Sequence, residues 1–292
     1  MSIDRRNFLK ALGVAGATFT VGQCFGASAI GKKDDNEFYG ILYDATRCVG
    51  CQSCEMACAE KYGFPPPEDV PEPGVVRETT ETQRIAINQF TTPKGDFFMR
   101  TSCNHCDEPA CASACLTKAM YKTKNGPVIW REDKCIGCRS CMIACPFDIP
   151  KFEFDKPNPK INKCIMCYGL MQEGKQPACV AACPAEALTF GKKKDLLEEA
   201  KTRIYASPDD YYHHVYGETE VGGTGVLRLS PVPFEELGMR TDLGDVSYPE
   251  YNKTFLYSVP AVLVLWPAFL LGLHNSTEER KKRNQIISED ES

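Results

Sequence analysis

The chain has 292 residues, a formal net charge of −5 and a pI near 5.6, which allows one large or two small domains and argues against a nucleic-acid partner. Charged residues at 25% and hydrophobic residues at 43% are ordinary globular levels. The outlier is cysteine, with 17 copies: an exported protein would use them as disulfides, a cytosolic one as metal ligands.

The N-terminus bears on that choice. Asp4-Arg5-Arg6-Asn7-Phe8-Leu9-Lys10 precedes a small-residue apolar run, Ala11 to Gly22, and then Ala27-Ser28-Ala29, an A-x-A-like cleavage site. The paired arginines before Phe-Leu-Lys resemble a twin-arginine signal, so residues 1–29 are expected to be an export peptide. That route carries proteins already folded around their cofactors, so metal ligation and export are compatible. Cys24 follows Gln23, where a lipidated cysteine wants a small residue, and reads as part of the signal.

After a polar linker, residues 31–37, Phe38 to Asp44 reads as a short strand. It enters the first of four cysteine groups, Cys48-x2-Cys51-x2-Cys54-x3-Cys58. The second is Cys103-x2-Cys106-x4-Cys111-x3-Cys115; the third, Cys135-x2-Cys138-x2-Cys141-x3-Cys145-Pro146, repeats the first spacing. The fourth is Cys164-x2-Cys167-x11-Cys179-x3-Cys183-Pro184. Disulfides do not require this repetition, and zinc, which takes two separated pairs, leaves the third close cysteine of groups one and three unexplained. The C-x2-C-x2-C-x3-C-P run is a [4Fe–4S] ligation signature, and sixteen thiolates are the number four cubanes need.

The repeat extends beyond cysteine. Arg47 to Cys58 matches Lys134 to Cys145, and Pro109 to Cys115 parallels Pro177 to Cys183, so the chain looks duplicated. Gly50 and Gly137 would let the backbone approach a cluster and donate N–H bonds to sulfur. Arg47, Lys134 and Lys163 each precede a group's first cysteine and would offset cluster charge or stand in solvent. His105, inside the second group, reads as a hydrogen-bonded structural residue, with tuning of a potential as the alternative.

Between the groups, Gln83–Phe90 alternates like a strand, with Thr91–Gly95 as turn and Asp96–Thr101 returning. Ala119–Thr123 and Pro127–Trp130 form a second expected hairpin around Lys124-Asn125-Gly126. Lys151–Phe154 and Ala187–Phe190 read as short strands. The expected fold class is therefore α+β.

With these motifs in hand, residues 38–200 resemble the four-cluster, ferredoxin-type electron-transfer subunits of membrane-bound respiratory oxidoreductases. The resemblance implies two interlaced ferredoxin-like domains binding four [4Fe–4S] clusters. Carried over, one cluster would use Cys48, Cys51, Cys54 and Cys183; its partner Cys58, Cys164, Cys167 and Cys179; a third Cys103, Cys106, Cys111 and Cys145; the fourth Cys115, Cys135, Cys138 and Cys141. Spacing alone also permits group one to pair with two and three with four.

Beyond the clusters, Lys192 to Ala200 reads as a short polar helix, and residues 201–253 as an extended, partner-contacting segment. Its adjacent His213-His214 point in different directions on most elements, so they are read as packing residues. Residues 254–274 are expected to form one transmembrane helix, since Phe255 to Leu273 carries no charge. Pro260 and Pro267 lie within it, and His274 at its edge reads as interfacial. Arg280-Lys281-Lys282-Arg283 in the tail, residues 275–292, place that tail in the cytoplasm and the clusters in the periplasm, a single pass through the inner membrane.

No dinucleotide fingerprint or nucleophile elbow is visible, so the sequence offers no catalytic residues of its own and reads as an electron relay. The expected partners are a periplasmic catalytic subunit, an integral membrane quinone-binding subunit and the membrane itself. An export signal together with a C-terminal span best resembles the hydrogenase-2 type, which implies a nickel–iron hydrogenase as catalytic partner. The alternatives are the same relay for a molybdopterin enzyme such as formate dehydrogenase, or a non-redox iron–sulfur anchor or assembly module.

Overall fold

The computed structural model describes residues 38–157 and 159–290. The expected signal peptide at 1–29, Cys24 and the linker at 31–37 lie outside the described residues. The chain divides into a body ending at Tyr251 and a helical unit from Asn252 onward.

The body is α+β. Its central strand, β1 (Tyr39–Asp44), begins the described chain. It pairs antiparallel with β8 (Leu188–Lys192) and parallel with β9 (Val226–Leu229), giving the order β8-β1-β9. Residues 40–44 are all buried, so the strand shows no alternation. One face is covered by α6 (Lys193–Ala206), whose Leu196, Ala200 and Ile204 pack on Leu42, Leu227 and Leu229 at helical spacing. Ile41, Tyr43 and Val226 belong to the larger core that includes Cys54, Cys58 and Cys179.

The other elements are short and lie between cysteines. Helix α1 (Ser53–Tyr62) starts inside the first group and ends at Gly63, whose φ of 66° lets its N–H cap the last turn. Strands β2 (Ile85–Thr92) and β3 (Gly95–Ser102) form a hairpin closed by Pro93-Lys94. That turn is tighter than the expected Thr91–Gly95, because Thr92 pairs with Gly95 and its hydroxyl donates to the Gly95 carbonyl at 2.9 Å. After α2 (Ala110–Ser113) comes the hairpin β4 (Met120–Lys122) and β5 (Val128–Trp130), around the expected turn. Helix α3 (Ser140–Ile143) carries Cys141. Strand β6 (Lys151–Phe152), shorter than expected, pairs with β7 (Ile161–Asn162), and α4 (Tyr168–Gln172) and α5 (Ala178–Ala181) complete the cluster region.

The structure corrects the reading of residues 201–253 as an extended segment beginning a new region. Helix α6 runs on to Ala206. Asp44, fully buried, draws it in through Arg203 at 2.8 Å and Tyr211 at 2.9 Å. Strand β9 is part of the central sheet, and Val215, Tyr216, Phe234 and Leu237 are buried. Gly225 and Val226 donate to the Asn104 carbonyl in the second cysteine loop at 3.0 and 3.1 Å. A partly apolar stretch with Gly turns looks loose in sequence, yet it buries its apolar residues on the body.

The C-terminal unit lies in α7 (Tyr248–Asp290), with Pro260 and Pro267 inside it. Residues 248–284 have a most apolar window of mean hydropathy 2.0, none of it buried. Leu263 and Val264 are about 70% exposed, so this apolar surface has no protein cover among the described residues. It is one candidate membrane-spanning helix, and it continues helically through the basic stretch at 280–283.

Candidate iron–sulfur site

Four loops present the cysteines, and their backbones repeat more closely than their sequences. The residue two positions after each group's first cysteine has positive φ: Gly50 at 70°, His105 at 50°, Gly137 at 70° and Met166 at 53°. Such values are uncommon outside glycine, and in functional loops they turn successive N–H groups toward one side. The Met166 N–H donates to Cys164 Sγ at 3.4 Å, and the Met120 N–H to Cys115 Sγ at 3.4 Å.

The loops gather the cysteines from distant parts of the chain. One cavity is lined by Cys48, Cys51, Cys54 and Cys183, together with Tyr43 and Ile87. A second is lined by Cys58, Cys164, Cys167 and Cys179, together with Tyr62, Arg84 and Ile85. Cys106 sits with Cys103, Cys145 and Cys111: burial first, then the charges of these three, push its thiol up. Cys141 is pushed up to about 11 by burial and then by Cys115, Cys135 and Cys138. Helix α1 packs on α5, and α2 on α3, so group one lies beside group four and group two beside group three.

Among the described residues, no three or more Cys, His, Asp or Glu side chains converge closely enough to hold a single metal ion. The thiols instead surround cavities, an arrangement that fits the corners of a polynuclear cluster. Desolvation opposes thiolate formation at the buried ones among them, raising Cys54 and Cys111 to about 12 and Cys179 to about 11. Two thiols go the other way. Cys138 is lowered by the Ser140 hydroxyl and backbone; for Cys115, N–H and hydroxyl donors at Met120 and Thr117 outweigh slight burial.

Buried cations stand around these cavities. Arg100 and Lys163 are 1% and 2% exposed. Arg100 Nη2 lies 3.8 Å from Cys179 Sγ, and Lys163 Nζ lies 3.7 Å from Cys103 Sγ. Lys163 also donates to the Cys164 carbonyl at 3.0 Å and to that of Val128. Buried donors on Arg84, Arg100 and His105 have no partner. Unmet buried donors and cations are costly alone, and a thiolate-held, anionic [4Fe–4S] cluster would satisfy both. The donor set and its surroundings therefore fit the group.

Of the residues singled out in sequence, Lys163 is buried at the site, whereas Lys134 is exposed and Arg47 reaches Asp44 at 3.6 Å. His105 is buried and its Nδ1 accepts the Val128 N–H at 2.9 Å, which places its proton on Nε2. Burial, then Lys163, Lys122 and Arg100, hold its pKa well below the ordinary value. His213 meets the Pro208 carbonyl at 3.0 Å and His214 meets Glu220 at 2.5 Å, so the pair does not converge. Sequence reading missed Arg84 and Arg100. Their only signal was an arginine beside or within an apolar strand.

Loops of this kind around buried thiolates define a ferredoxin-type iron–sulfur protein, and residues 95–193 match the 4Fe-4S dicluster domain family. The hydrogenase-2 operon protein HybA of Escherichia coli O157:H7 is 32% identical over 314 residues, covering 93% of this chain and 94% of HybA. A protein of Nitratidesulfovibrio vulgaris is 44% identical over 293 residues, 96% of this chain and 78% of that protein. A subunit of the anaerobic dimethyl sulfoxide reductase of Escherichia coli K12 is 36% identical over 168 residues, 55% of this chain and 77% of its own length. The chain belongs to the ferredoxin-type [4Fe–4S] electron-transfer family that includes HybA.

Proposed function

We propose that this chain carries electrons through four [4Fe–4S] clusters between a periplasmic nickel–iron hydrogenase and a quinone-reactive membrane subunit. The sixteen cysteines from Cys48 to Cys183 hold the clusters in the four sets described above. When bound, each cluster supplies reversible one-electron chemistry at a potential set by its surroundings.

The observation that carries the relay is the succession of sets. Helix α1, which carries Cys54 of the first, packs on α5, which carries Cys179 of the second. Lys163 touches both Cys164 of the second and Cys103 of the third. Helix α2, which carries Cys111 of the third, packs on α3, which carries Cys141 of the fourth. Cys51 and Cys138, in the first and fourth sets, are exposed, whereas every cysteine of the second set is buried. Electrons would enter and leave at the exposed sets and cross the body between them.

The choice of hydrogenase is supported by the match to HybA over nearly both full lengths. The export signal and the apolar α7 favour a single-pass inner-membrane protein, with the clusters periplasmic and the C-terminus cytoplasmic. The runner-up is the same relay serving a molybdopterin enzyme, favoured by the match to the dimethyl sulfoxide reductase subunit across the cluster region. Purifying the detergent-solubilised complex and identifying its catalytic subunit decides between them: a hydrogenase large subunit is expected, and a molybdopterin subunit in its place overturns the first choice. Clusters that reduce but do not reoxidise when quinone is added to the intact complex would favour the non-redox anchor.

A further inference from the structure

Strand β2 places two isoleucines on one face: Ile87 lines the cavity of the first set, and Ile85 that of the second. Arg100 pairs directly across from Ile87 in the hairpin, and Ser102 across from Ile85. Directly opposed residues share a face, so Arg100 and Ser102 stand where the two cavities adjoin. Arg100 is fully buried, its Nη2 reaches Cys179 Sγ at 3.8 Å, and its Nε has no partner. Ser102 Oγ is buried and unpartnered as well.

Resting on the ligand reading above, the geometry points to Arg100 as a positioning charge shared by the first and second cluster sites, raising the reduction potential of both. A guanidinium stays protonated at any working pH, so its charge cannot be lost when the environment changes. The cross-strand neighbour of Arg100, Ile87, lines the first cavity, and Arg100 Nη2 reaches Cys179 of the second set, so the guanidinium stands between both.

One-electron reduction adds one negative charge to a thiolate-held cluster, with no proton taken up by Arg100. A fixed cation at short range in a poorly screened interior favours the more negative state. Because one fixed cation serves two sites, its removal lowers both midpoints together.

The test is a mediated redox titration, followed by EPR, of the full complex carrying Arg100→Gln or Arg100→Lys. Iron and acid-labile sulfide are measured on the same samples. With all clusters loaded, R100Q is expected to shift two midpoints to lower potential and leave the others in place, while R100K stays near the parent values. If R100Q instead loses the iron of two clusters and R100K restores it, a shared charge requirement is equally supported. Unchanged midpoints in a loaded R100Q, a shift confined to one cluster, or a loss of iron that R100K does not repair would each overturn the proposal. An unsubstituted complex with less than four clusters' iron would count against the ligand reading, not against Arg100.

Discussion

The body carries the same ligand loop twice, and the two copies are insulated differently. Around groups one and four, Cys54, Cys58 and Cys179 are part of a core with Ile41, Tyr43, Ile85, Ile87, Met99, Val226 and Phe234. Around groups two and three, Cys111 and Cys141 share a smaller core with Met120, Val128, Phe152 and Ile161. The divergence shows at equivalent positions. Glu55, after Cys54, is buried and bonded by Arg77 at 3.0 Å and by the Gln83 amide at 3.1 Å; its counterpart Met142, after Cys141, is partly exposed. Duplication supplied two cages, and segments outside the repeat buried one more deeply than the other. In the relay proposed, this gives the second site a low-dielectric, cation-lined setting and leaves the first and fourth open to solvent and partners at Cys51 and Cys138.

The sharpest way to break this comparison is to remove one cysteine from each environment. Cys179→Ala is expected to lose the second cluster and to leave Arg100 buried without its thiolate partner. Leaving a buried charge unpaired costs about 3–5 kcal/mol, so iron content and the thermal midpoint of the body should fall together. Cys138→Ala, at an exposed position, should lose or alter only the fourth cluster, with a thermal midpoint near the parent's. Equal thermal losses would show that the two halves are insulated alike.

Almost as large an effect is expected where residues 201–251 close over the first half. Phe234 is 1% exposed and meets Tyr212 and His214 edge-to-face and Tyr216 at a tilt, at ring separations of 5.1 to 6.1 Å. Phe234→Ala should destabilise the body by about 3–5 kcal/mol, the usual cost of truncating a buried aromatic, as read by denaturant unfolding. A loss below about 1 kcal/mol would return this segment to the status of an outer arm.

How legible this was in the sequence varied with the kind of signal. The cysteine groups and both hairpins could be read because they rest on local spacing and turn chemistry. The two cavities bring together cysteines that the family resemblance, not the spacing, had paired. Arg100 was not legible: in Phe98-Met99-Arg100-Thr101 an alternating strand implies one wet face, and only the loops folded over β3 bury both Met99 and Arg100. In the stretch after α6, Gly222 to Leu229 reads as turn and strand, but its place in the core was not legible for a related reason. Its apolar residues are separated by Gly and Pro, and their burial depends on pairing β9 with β1, far earlier in the chain.

A smaller difference is expected at the two glycines that occupy the same place in the repeat. Both have φ of 70°, so alanine at either carries left-handed strain of about 1–2 kcal/mol. At Gly50 an added Cβ would also overlap the Phe98 ring, whereas at Gly137 it would meet nothing within 4 Å. Gly50→Ala should therefore lower the thermal midpoint more than Gly137→Ala, with a further loss of about 1–3 kcal/mol. The double variant G50A/F98A should show less than the sum of its parts, since removing the ring relieves the overlap. Equal effects at the two glycines would mean that loop strain alone matters.

The smallest effect on stability is expected at the open end. Ile143, Leu116 and Ile136 flank the fourth set and are 89%, 86% and 65% exposed. The counterparts of Ile136 and Ile143 in the first repeat, Val49 and Met56, are exposed at 61% and 49%, so each terminal set is flanked by apolar side chains that the body does not use. Ile143→Ser should change stability by no more than about 0.5 kcal/mol, as a surface substitution, and leave iron content unchanged. If the fourth set is where electrons cross to another subunit, the same substitution should weaken retention of that subunit during purification. Retention equal to the parent's, with the iron intact, would move the contact away from this face.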